Sequence, residues 1–163
     1  MLAYIWAEAK NHVIGKNGNL PWNIPDDMKF FKEQTLNHQI LAGYTTYKSF
    51  GRPLPHRKNL VLTHRNPKQF PVDVKVFSDE NDFLQYANKY KDDIIFVVGG
   101  RKVYEALLPY VKLLYRTSID KEVDGDTKMI PIDYSKFEKI KEIPGKDNSE
   151  YPHQFDIFKR KVN

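Results

Sequence analysis

The strongest constraint on the fold is the alternation of short apolar runs with helical patterns along the chain. Apolar runs at residues 2–7, 40–42, 60–62 and 94–98 predict buried strands, and residues 111–119 and 154–158 predict later ones. Helical patterns occupy residues 26–35, 45–50, 79–89 and 102–108, and Ser78 is the predicted N-cap of the third helix. This alternation predicts an α/β protein whose mostly parallel sheet is covered on both faces. The last strands lack intervening helices, so we expect them to pair antiparallel at one edge.

Length and composition narrow the class of protein. The 163 residues suit a single domain spanning residues 1–163, without internal repeats. Cysteine is absent from the sequence, which excludes disulfides and fits a reducing compartment. The N-terminus meets Glu8 and Lys10 too soon for a signal peptide, and no run approaches the ~18 apolar residues of a membrane span. We therefore expect a cytoplasmic protein without membrane contact. Its formal net charge of +5 fits either nucleic acid or a small polyanionic ligand.

Two adjacent acids at the start of the first helix are candidates for chemistry. Pro25 stands where a helix can begin, and Asp26 and Asp27 fall in the first turn, where the helix dipole favours carboxylates. A capped helix is therefore one interpretation, in which at least one of the acids only caps. Helical spacing puts Asp27 on one face with Phe31 and Thr35, whereas Asp26 lies ~100° away. An acid beside a phenylalanine, facing a sheet, is a candidate for a desolvated carboxylate with a raised pKa.

Glycines mark two further segments. Residues 14–19 form a glycine-punctuated loop between a strand and the first helix, which is typical of a surface turn or a mobile lid. Gly99 and Gly100 join a buried strand to a helix, and backbone N–H groups there can hold a phosphate, with a tight turn as the alternative. The three-glycine dinucleotide fingerprint does not occur, so a bound nucleotide would not be held in the usual Rossmann manner.

Polar strand ends offer anion contacts. Thr63, His64 and Arg65 end a predicted strand and could hold a phosphate monoester, or could form an ordinary exposed strand end. Arg57 follows a proline-stiffened segment and could pair with a carboxylate, a surface ion pair being the alternative. Metal-ligand spacing, a Gly-x-Ser-x-Gly motif, a Walker loop and an RNA-binding pattern are all missing from the sequence, so we expect no metal.

A series of short motifs extends over nearly the whole chain, in order and at consistent separations. They are Trp6-Ala7, Ile14-Gly15, Gly18-x-Leu20-Pro21-Trp22, Pro25-x-Asp27, Phe31-Lys32, Gly43-x-x-Thr46, Ser49-x-Gly51-Arg52-Pro53-Leu54-Pro55-x-Arg57, Leu62-Thr63, Val98-Gly99-Gly100, Val103-Tyr104 and Gly125-Asp126-Thr127. Jointly they resemble the dihydrofolate reductases of the bacterial chromosomal type. The resemblance implies an eight-stranded, mostly parallel sheet with an antiparallel C-terminal edge strand and four flanking helices. It also implies NADPH-dependent reduction of 7,8-dihydrofolate to 5,6,7,8-tetrahydrofolate, which supplies one-carbon metabolism.

The resemblance assigns roles on the substrate side. Asp27 would bond the 2-amino group and N3 of the pterin, with Thr117 as its hydrogen-bonding partner. Trp22 would organise a nearby water, Leu20 would close over the reacting rings, and Arg57 would grip the α-carboxylate of the glutamate tail. The other residues implied for the substrate pocket are Ile5, Trp6, Ala7, Met28, Phe31, Phe50, Arg52, Leu54, Val98 and Tyr104. Antifolate inhibitors would bind in the same pocket.

The resemblance also assigns a cofactor site. Residues 14–20 would cover the nicotinamide, a cis Gly99–Gly100 pair would cradle the pyrophosphate, and the 2′-phosphate would lie at residues 63–65. The full implied set is Ala7, Ile14, Gly15, Asn19, Leu20, Gly43, Tyr44, Thr45, Thr46, Leu62, Thr63, His64, Arg65, Val98, Gly99, Gly100, Arg101, Lys102, Val103 and Tyr104. Tyr44 departs from the family, which usually has an arginine there, and losing such a charge-assisted contact costs about 1.5–3 kcal/mol. Lys48, Arg101 or Lys102 could compensate.

Three alternative functions compete with this one. A related reductase of the same fold would act on a pyrimidine-type ribosyl intermediate of flavin synthesis. A small basic domain would bind nucleic acid, with an affinity that falls steeply with salt. A third alternative is a cofactor-binding relative without turnover. Asp27 together with Phe31 and Arg57 favours folate, so the resemblance implies a monomeric enzyme with small-molecule ligands and no nucleic-acid partner.

Overall fold

The computed structural model describes residues 1–162, and its elements alternate as the sequence predicts. The strands are β1 (Leu2–Glu8), β2 (Val13–Gly15), β3 (Gln39–Gly43), β4 (Lys58–Leu62), β5 (Lys75–Phe77), β6 (Ile95–Gly99), β7 (Leu113–Ile119), β8 (Thr127–Lys128), β9 (Phe137–Pro144) and β10 (His153–Arg160). The α-helices are α1 (Pro25–Thr35), α2 (Tyr44–Ser49), α3 (Glu80–Ala87) and α4 (Arg101–Leu107). Short 3₁₀ turns join some of these elements.

Eight strands form one sheet in the order β5-β4-β3-β6-β1-β7-β10-β9. Every neighbouring pair from β5 to β7 is parallel, whereas β10 runs antiparallel to both β7 and β9. β2 and β8 form a separate antiparallel pair. The predicted eight-stranded, mostly parallel sheet with an antiparallel C-terminal edge is confirmed. The last strand of the chain lies one position in from the edge, which β9 occupies.

The two faces of the sheet pack into different cores. Tyr4 and Trp6 of β1 belong to the larger core, which contains the apolar residues of α3 and α4. Ala3 and Ile5, which alternate with them, belong to a smaller core with Phe30 of α1. Because both faces are covered, the central strands are buried throughout, as parallel strands usually are.

The N-cap of α3 differs from the prediction. The N-cap is Asp79, and Ser78 was the wrong choice. The Asp79 carboxylate accepts a hydrogen bond from the Asp82 N–H at 2.8 Å. Aspartate caps helices as well as serine does, so neighbouring cap candidates cannot be separated by residue type. The α-helix ends at Ala87, and residues 88–90 continue it as a 3₁₀ turn.

Several strands carry too little apolar signal to be predicted from sequence. β9 is the longest of them, and its middle is exposed and rich in lysine and glutamate. Charged side chains on an edge strand oppose pairing with another sheet, so the composition of β9 fits its place at the edge. β2, β5 and β8 span only two or three residues each, which is below the length at which periodicity is informative.

Membrane-spanning helices and metal-binding clusters are both absent from the described residues. Within residues 1–162, no helix is both long and apolar enough to cross a membrane. In the same part of the chain, no cluster of three or more histidine, cysteine, aspartate or glutamate side chains is placed to hold a metal ion.

Candidate active site

The candidate site lies at the carboxyl ends of β1 and β6, which are neighbours in the sheet. α1 follows β1 in the chain and packs on one face, whereas α4 follows β6 and packs on the other. Neighbouring parallel strands whose helices leave to opposite faces create a crevice at their carboxyl ends, which is where ligands bind in open α/β sheets. Asp27 of α1 and the Gly99–Gly100 turn before α4 flank this position.

Asp27 is held at the site by one short hydrogen bond. Thr117 Oγ1 of β7 donates to Asp27 Oδ1 at 2.6 Å, and Thr117 is buried. Burial raises the pKa of Asp27, against the opposing effects of the Thr117 hydrogen bond and the charge of His153. The residue therefore has the environment that helical spacing indicated, a desolvated carboxyl facing the sheet. Its Oδ2 remains for a donor outside the Thr117 contact.

Asp26 has a different environment from its neighbour. The N-cap of α1 is Ile24, and no side chain caps the helix, so the expectation that an acid caps it is wrong. Asp26 Oδ2 instead accepts hydrogen bonds from the Lys146 N–H at 2.9 Å and from His153 Nε2 at 2.6 Å. Partial burial opposes ionisation of Asp26, but these two hydrogen bonds outweigh it and lower the pKa. Sequence reasoning missed His153, because no local pattern links residues so far apart.

Apolar walls flank Asp27 on the α1 face of the sheet. Ile5, Phe31, Leu54 and Val98 belong to one cluster, so the structure brings together four residues that were predicted for a substrate pocket. Phe50 is half-buried at the end of α2. Met28 and Leu20 remain 61% and 57% exposed, which leaves two large apolar side chains free to contact a ligand.

Trp6 and Tyr104 lie on the other face of the sheet from the Ile5, Phe31, Leu54 and Val98 cluster. For Trp6 the contacts are clear. Its ring lies 6.3 Å from that of Tyr104, in the core on the opposite face of the sheet, and its indole N–H donates to Glu8 Oε1 at 2.9 Å. The side chain of Trp6 therefore points away from Asp27, and only its main chain is available to the site. Ala7, the next residue, packs near Trp22 on the site's side.

Trp22 has a buried polar atom that the protein leaves unpaired. Its Nε1 finds no hydrogen-bond partner among the described residues, although the indole is only 7% exposed. A buried N–H without a partner is costly, so such groups usually donate to an ordered water or a ligand. The geometry fits the water-organising role that was predicted for Trp22.

The loop at residues 14–20, called the lid below, lies against the start of α2. The Asn17 N–H donates to Asp126 Oδ2 at 2.8 Å, which ties the lid to the loop before β8. Gly18 has a φ of 80°, and a Cβ placed there would lie 3.8 Å from Thr45 Cγ2. The lid therefore reaches over α2 toward the crevice. Asp126 was part of a predicted motif but had no predicted role.

Two arginines lie in the segment between α2 and β4. The Arg57 side chain donates from Nε to the Pro55 carbonyl at 2.9 Å and from Nη1 to Thr35 Oγ1 at 3.2 Å. These bonds orient the guanidinium at the C-terminal end of α1 and leave further N–H groups for an anion. Arg52, by contrast, is exposed next to Gly51.

Three glycines allow α2 and α4 to begin side by side. A Cβ at Gly43 would lie 3.1 Å from Val103 Cγ2, and one at Gly99 or Gly100 would lie 3.2 or 3.3 Å from Thr46 Oγ1. The Gly99–Gly100 peptide is cis, as predicted, and neither helix has a side-chain cap. Bare backbone N–H groups of two helix starts thus face one small space, which fits a phosphate group.

Tyr44 and Arg65 form a contact that the sequence did not predict. The Arg65 guanidinium lies 3.8 Å from the centre of the Tyr44 ring, and the Arg65 N–H donates to Thr63 Oγ1 at 3.3 Å. The Tyr44 ring also packs edge-on against Phe70 at 6.1 Å. A positive charge is therefore present beside Tyr44, at the position where the resembled family usually has an arginine.

The other basic residues near this corner are placed differently. Arg101 Nη1 donates to the carbonyls of Lys128 and Met129, at 2.8 and 3.1 Å, so its guanidinium points to β8. Lys102, Lys48 and His64 are exposed. Of the three residues expected to compensate for Tyr44, only the two lysines are thus left available to an approaching phosphate.

Comparisons with known proteins point to one family. A family model described as "Dihydrofolate reductase" matches residues 1–160. The dihydrofolate reductase of Enterococcus faecium is 39% identical over 163 residues, covering 98% of this chain and 97% of the relative. That of Bacillus subtilis (strain 168) is 35% identical, covering 97% and 92%. The solved structure "Dihydrofolate reductase from Enterococcus faecalis complexed with NADP(H) and RAB-propyl" superimposes with a TM-score of 0.91 at 39% identity, covering 99% and 97%.

Proposed function

Because the chain belongs to the dihydrofolate reductase family, we propose that it reduces 7,8-dihydrofolate to 5,6,7,8-tetrahydrofolate with NADPH, and that Asp27 is its catalytic carboxylate. The observation that carries the proposal is the Thr117–Asp27 hydrogen bond of 2.6 Å at the carboxyl edge of the sheet. It holds a carboxyl with a raised pKa where a ligand can reach it.

NADPH, when bound, supplies the hydride, and a proton from solvent completes the reduction of one carbon–nitrogen double bond. The chain's own residues do the rest. Asp27 accepts hydrogen bonds from the 2-amino group and N3 of the pterin, and Thr117 keeps the carboxyl oriented. Asp27 lies across the ring from the nitrogen that gains the proton. It therefore acts through electrostatics and through the water held by Trp22.

The remaining predicted residues divide between the substrate site and the cofactor site. Ile5, Phe31, Leu54 and Val98 line the pterin pocket, and Arg57 binds the α-carboxylate of the glutamate tail. Met28, Phe50, Arg52, Ala7 and the main chain of Trp6 complete the substrate side. Antifolate inhibitors would compete for the same pocket.

The cofactor side is supported by the cradle of glycines. Gly43, Thr46, Gly99 and Gly100 enclose a space that any added Cβ would narrow, and the starts of α2 and α4 offer N–H groups to the pyrophosphate. Thr63, His64 and Arg65 would bind the 2′-phosphate and so select NADPH over NADH. The lid, including Ile14, Gly15, Asn19 and Leu20, would exclude water from the nicotinamide.

Further residues complete the cofactor site. Tyr104 Oη donates to the Ile5 carbonyl at 3.0 Å, and burial raises the pKa of Tyr104 well above its usual range. Its phenol therefore stays uncharged where it lines the cofactor site. The other proposed contacts are Thr45, Leu62, the main chain of Arg101, Lys102 and Val103. We also propose a monomer, because one chain supplies all the proposed site residues, and a cytoplasmic location, because a sequence without cysteine fits a reducing compartment. Sedimentation of the purified protein with and without NADPH tests its oligomeric state.

The direct assay follows NADPH oxidation at fixed dihydrofolate and is repeated with NADH. We expect turnover that depends on dihydrofolate and prefers NADPH. The flavin-pathway alternative requires turnover of a ribosylated pyrimidine instead, and failure with dihydrofolate would contradict the proposal.

Replacement of Asp27 tests its proposed catalytic role directly. We expect Asp27→Asn to lower turnover at neutral pH by roughly 10²–10³-fold and to regain part of it in acid, where the pterin is already protonated. Glu33→Gln is the matched control, since Glu33 lies further along α1 with its side chain 58% exposed. Equal activity in the Asp27 variant and the unaltered enzyme would remove Asp27 from the mechanism.

A further inference from the structure

A buried ion pair ties the start of α1 to the strand β10. His153 Nε2 lies 2.6 Å from Asp26 Oδ2, and the side-chain exposures of the two residues are 0% and 16%. The same Asp26 oxygen accepts the Lys146 N–H at 2.9 Å. The first turn of α1, which carries Asp27, is therefore bound to the start of β10 and to the loop that joins β9 to β10.

The hydrogen bonds of His153 engage both ring nitrogens. Nδ1 lies 2.8 Å from the Tyr151 carbonyl oxygen, which can only accept, so Nδ1 carries a hydrogen. Nε2 lies 2.6 Å from the Asp26 carboxylate. With a hydrogen on Nδ1, the ring can also donate from Nε2 only in its doubly protonated, positively charged form.

The surroundings of His153 keep the ring in this place. A Cβ at Gly145 would lie 2.5 Å from His153 Cδ2 and 2.6 Å from Nε2, so only glycine leaves room for the imidazole. The Phe155 ring packs against it edge-on at 5.4 Å. The hairpin is thus shaped around the ion pair.

The position of the pair matters because Asp27 is the next residue after Asp26. The charge of His153 favours the ionised form of Asp27, and the charge of Asp26 opposes it. Other charged groups border the cleft beside residues 152–154, from the ends of β1 and β7 and the loops next to them. They are Glu8, Lys10, His12, Arg116 and Asp120. The charged groups that shift the pKa of Asp27 are His153 and Asp26, and none of these five residues is among them.

We propose that His153 is a positioning residue for the reaction, which anchors the first turn of α1 through Asp26 and, in its protonated form, places a positive charge behind the catalytic carboxylate. The inference rests on the proposed function, because it assigns His153 a task only if Asp27 acts on a substrate. Preorganised charge near a catalytic group is effective because it needs no rearrangement during the reaction.

Two substitutions separate the charge from the anchor. Glutamine places its amide nitrogen near the position of Nε2, so His153→Gln keeps a donor to Asp26 but removes the charge. His153→Ala removes both. The control is His38→Gln, since His38 pairs with Asp93 at 2.9 Å just before β3, at the opposite end of the sheet from the site.

The first readout is the titration of Asp27 by carboxyl ¹³C NMR in the free enzyme, with Asp27→Asn used to assign the signal. We expect the pKa of Asp27 to rise in His153→Gln, because a favourable positive charge is lost, and to be unchanged in His38→Gln. An unchanged Asp27 titration in His153→Gln would overturn the electrostatic part of the proposal.

The second readout is the pH profile of turnover with dihydrofolate and NADPH. We expect the profile of His153→Gln to move to higher pH with the maximal rate little changed. We expect the maximal rate of His153→Ala to fall about 10- to 100-fold, because the helix start is no longer held. Maximal rates equal to the unaltered enzyme in His153→Ala would overturn the anchoring role. If the unaltered enzyme does not reduce dihydrofolate, the proposed function fails, whereas the NMR titration still tests the electrostatic link.

Discussion

At the scale of single residues, environment separates side chains of the same type. Asp26 and Asp27 are neighbours, yet burial raises the pKa of Asp27, whereas hydrogen bonds to Asp26 lower its pKa. One carboxyl faces the crevice and the other faces the β9–β10 hairpin. Pairs of acids whose pKa values are pushed apart are typical of catalytic sites, where each acid has a different task.

Arg57 provides a test of the substrate side. We expect Arg57→Leu to weaken dihydrofolate binding by about 2–5 kcal/mol, because the carboxylate would lose a charged partner. The Michaelis constant for NADPH should stay unchanged and serves as the internal control. Thermal unfolding checks that loss of the Thr35 contact has not unfolded the protein. An unaltered Michaelis constant for dihydrofolate would exclude Arg57 from binding.

Tyr44 provides a test of the cofactor side. The stacking of Arg65 on Tyr44 is worth about 0.5–1 kcal/mol at an exposed site, or roughly a two- to fivefold change in affinity. We expect Tyr44→Leu to weaken binding of 2′,5′-ADP by this factor in calorimetry and to leave 5′-AMP unaffected. Tyr44→Phe, which keeps the ring, should bind both like the unaltered protein. Equal losses for the two nucleotides would show that Tyr44 does not act through the 2′-phosphate.

At the scale of elements, β10 joins the site to the edge of the sheet. Asp156 of β10 is 1% exposed and accepts hydrogen bonds from Arg116 Nη2 of β7 at 3.0 Å and from Gln154 at 2.8 Å. Lys139 of β9 lies 3.4 Å from the same carboxylate. Three strands are therefore tied together by one buried acid.

The loss of this acid should destabilise the sheet edge. We expect Asp156→Asn to lower the free energy of unfolding by about 2–4 kcal/mol near pH 7, because Arg116 would lose its charged partner. Burial opposes ionisation of Asp156, but its hydrogen bonds and charged partners lower the pKa below 3.8. The contribution is therefore present above the ordinary pKa and is lost as the pH falls through the lowered value.

Urea unfolding at several pH values measures this contribution. The difference between Asp156→Asn and the unaltered protein should be full at pH 7 and shrink in strong acid. Glu138→Gln is the control, since Glu138 is exposed on β9. A difference that does not depend on pH would mean that the ionised form of Asp156 is not what stabilises the sheet edge.

At the scale of the whole molecule, burial of the Asp27 carboxyl lowers the free energy of unfolding at neutral pH. Burial raises the pKa of Asp27, so the native protein keeps this proton to a higher pH than the unfolded chain does. Between the ordinary value of 3.8 and the raised value, folding takes up a proton, and stability from this group declines as the pH rises. Under the proposed function, this cost is retained because the reaction uses the charged carboxylate of Asp27.

Asp27→Asn should therefore stabilise the fold while it removes activity. We expect a gain of roughly 0.5–2 kcal/mol in the free energy of unfolding at neutral pH, because the amide carries no charge to desolvate. The gain should shrink as the pH falls toward the ordinary pKa of aspartate. Urea unfolding at neutral and acidic pH measures it, and a less stable variant at pH 7 would contradict the burial argument.

The sequence by itself determined the layered α/β fold and the face on which Asp27 lies. Both depend on local periodicity, since apolar runs form buried strands and residues four apart share a helix face. The lack of helices between the last strands indicated the antiparallel end of the sheet. The ordered motifs added the family and, with it, the cis Gly99–Gly100 peptide.

Apart from the Asp27–Thr117 pair, which the resemblance implied, only the tertiary structure decided which distant side chains meet. Asp26 and His153 are 127 positions apart, and the stacking of Arg65 on Tyr44 depends on how β4 and α2 lie together. The strand β9 escaped prediction because a charged edge strand lacks an apolar pattern. Hydrogen bonds and ion pairs depend on distances in space, and separation along the chain does not encode those distances.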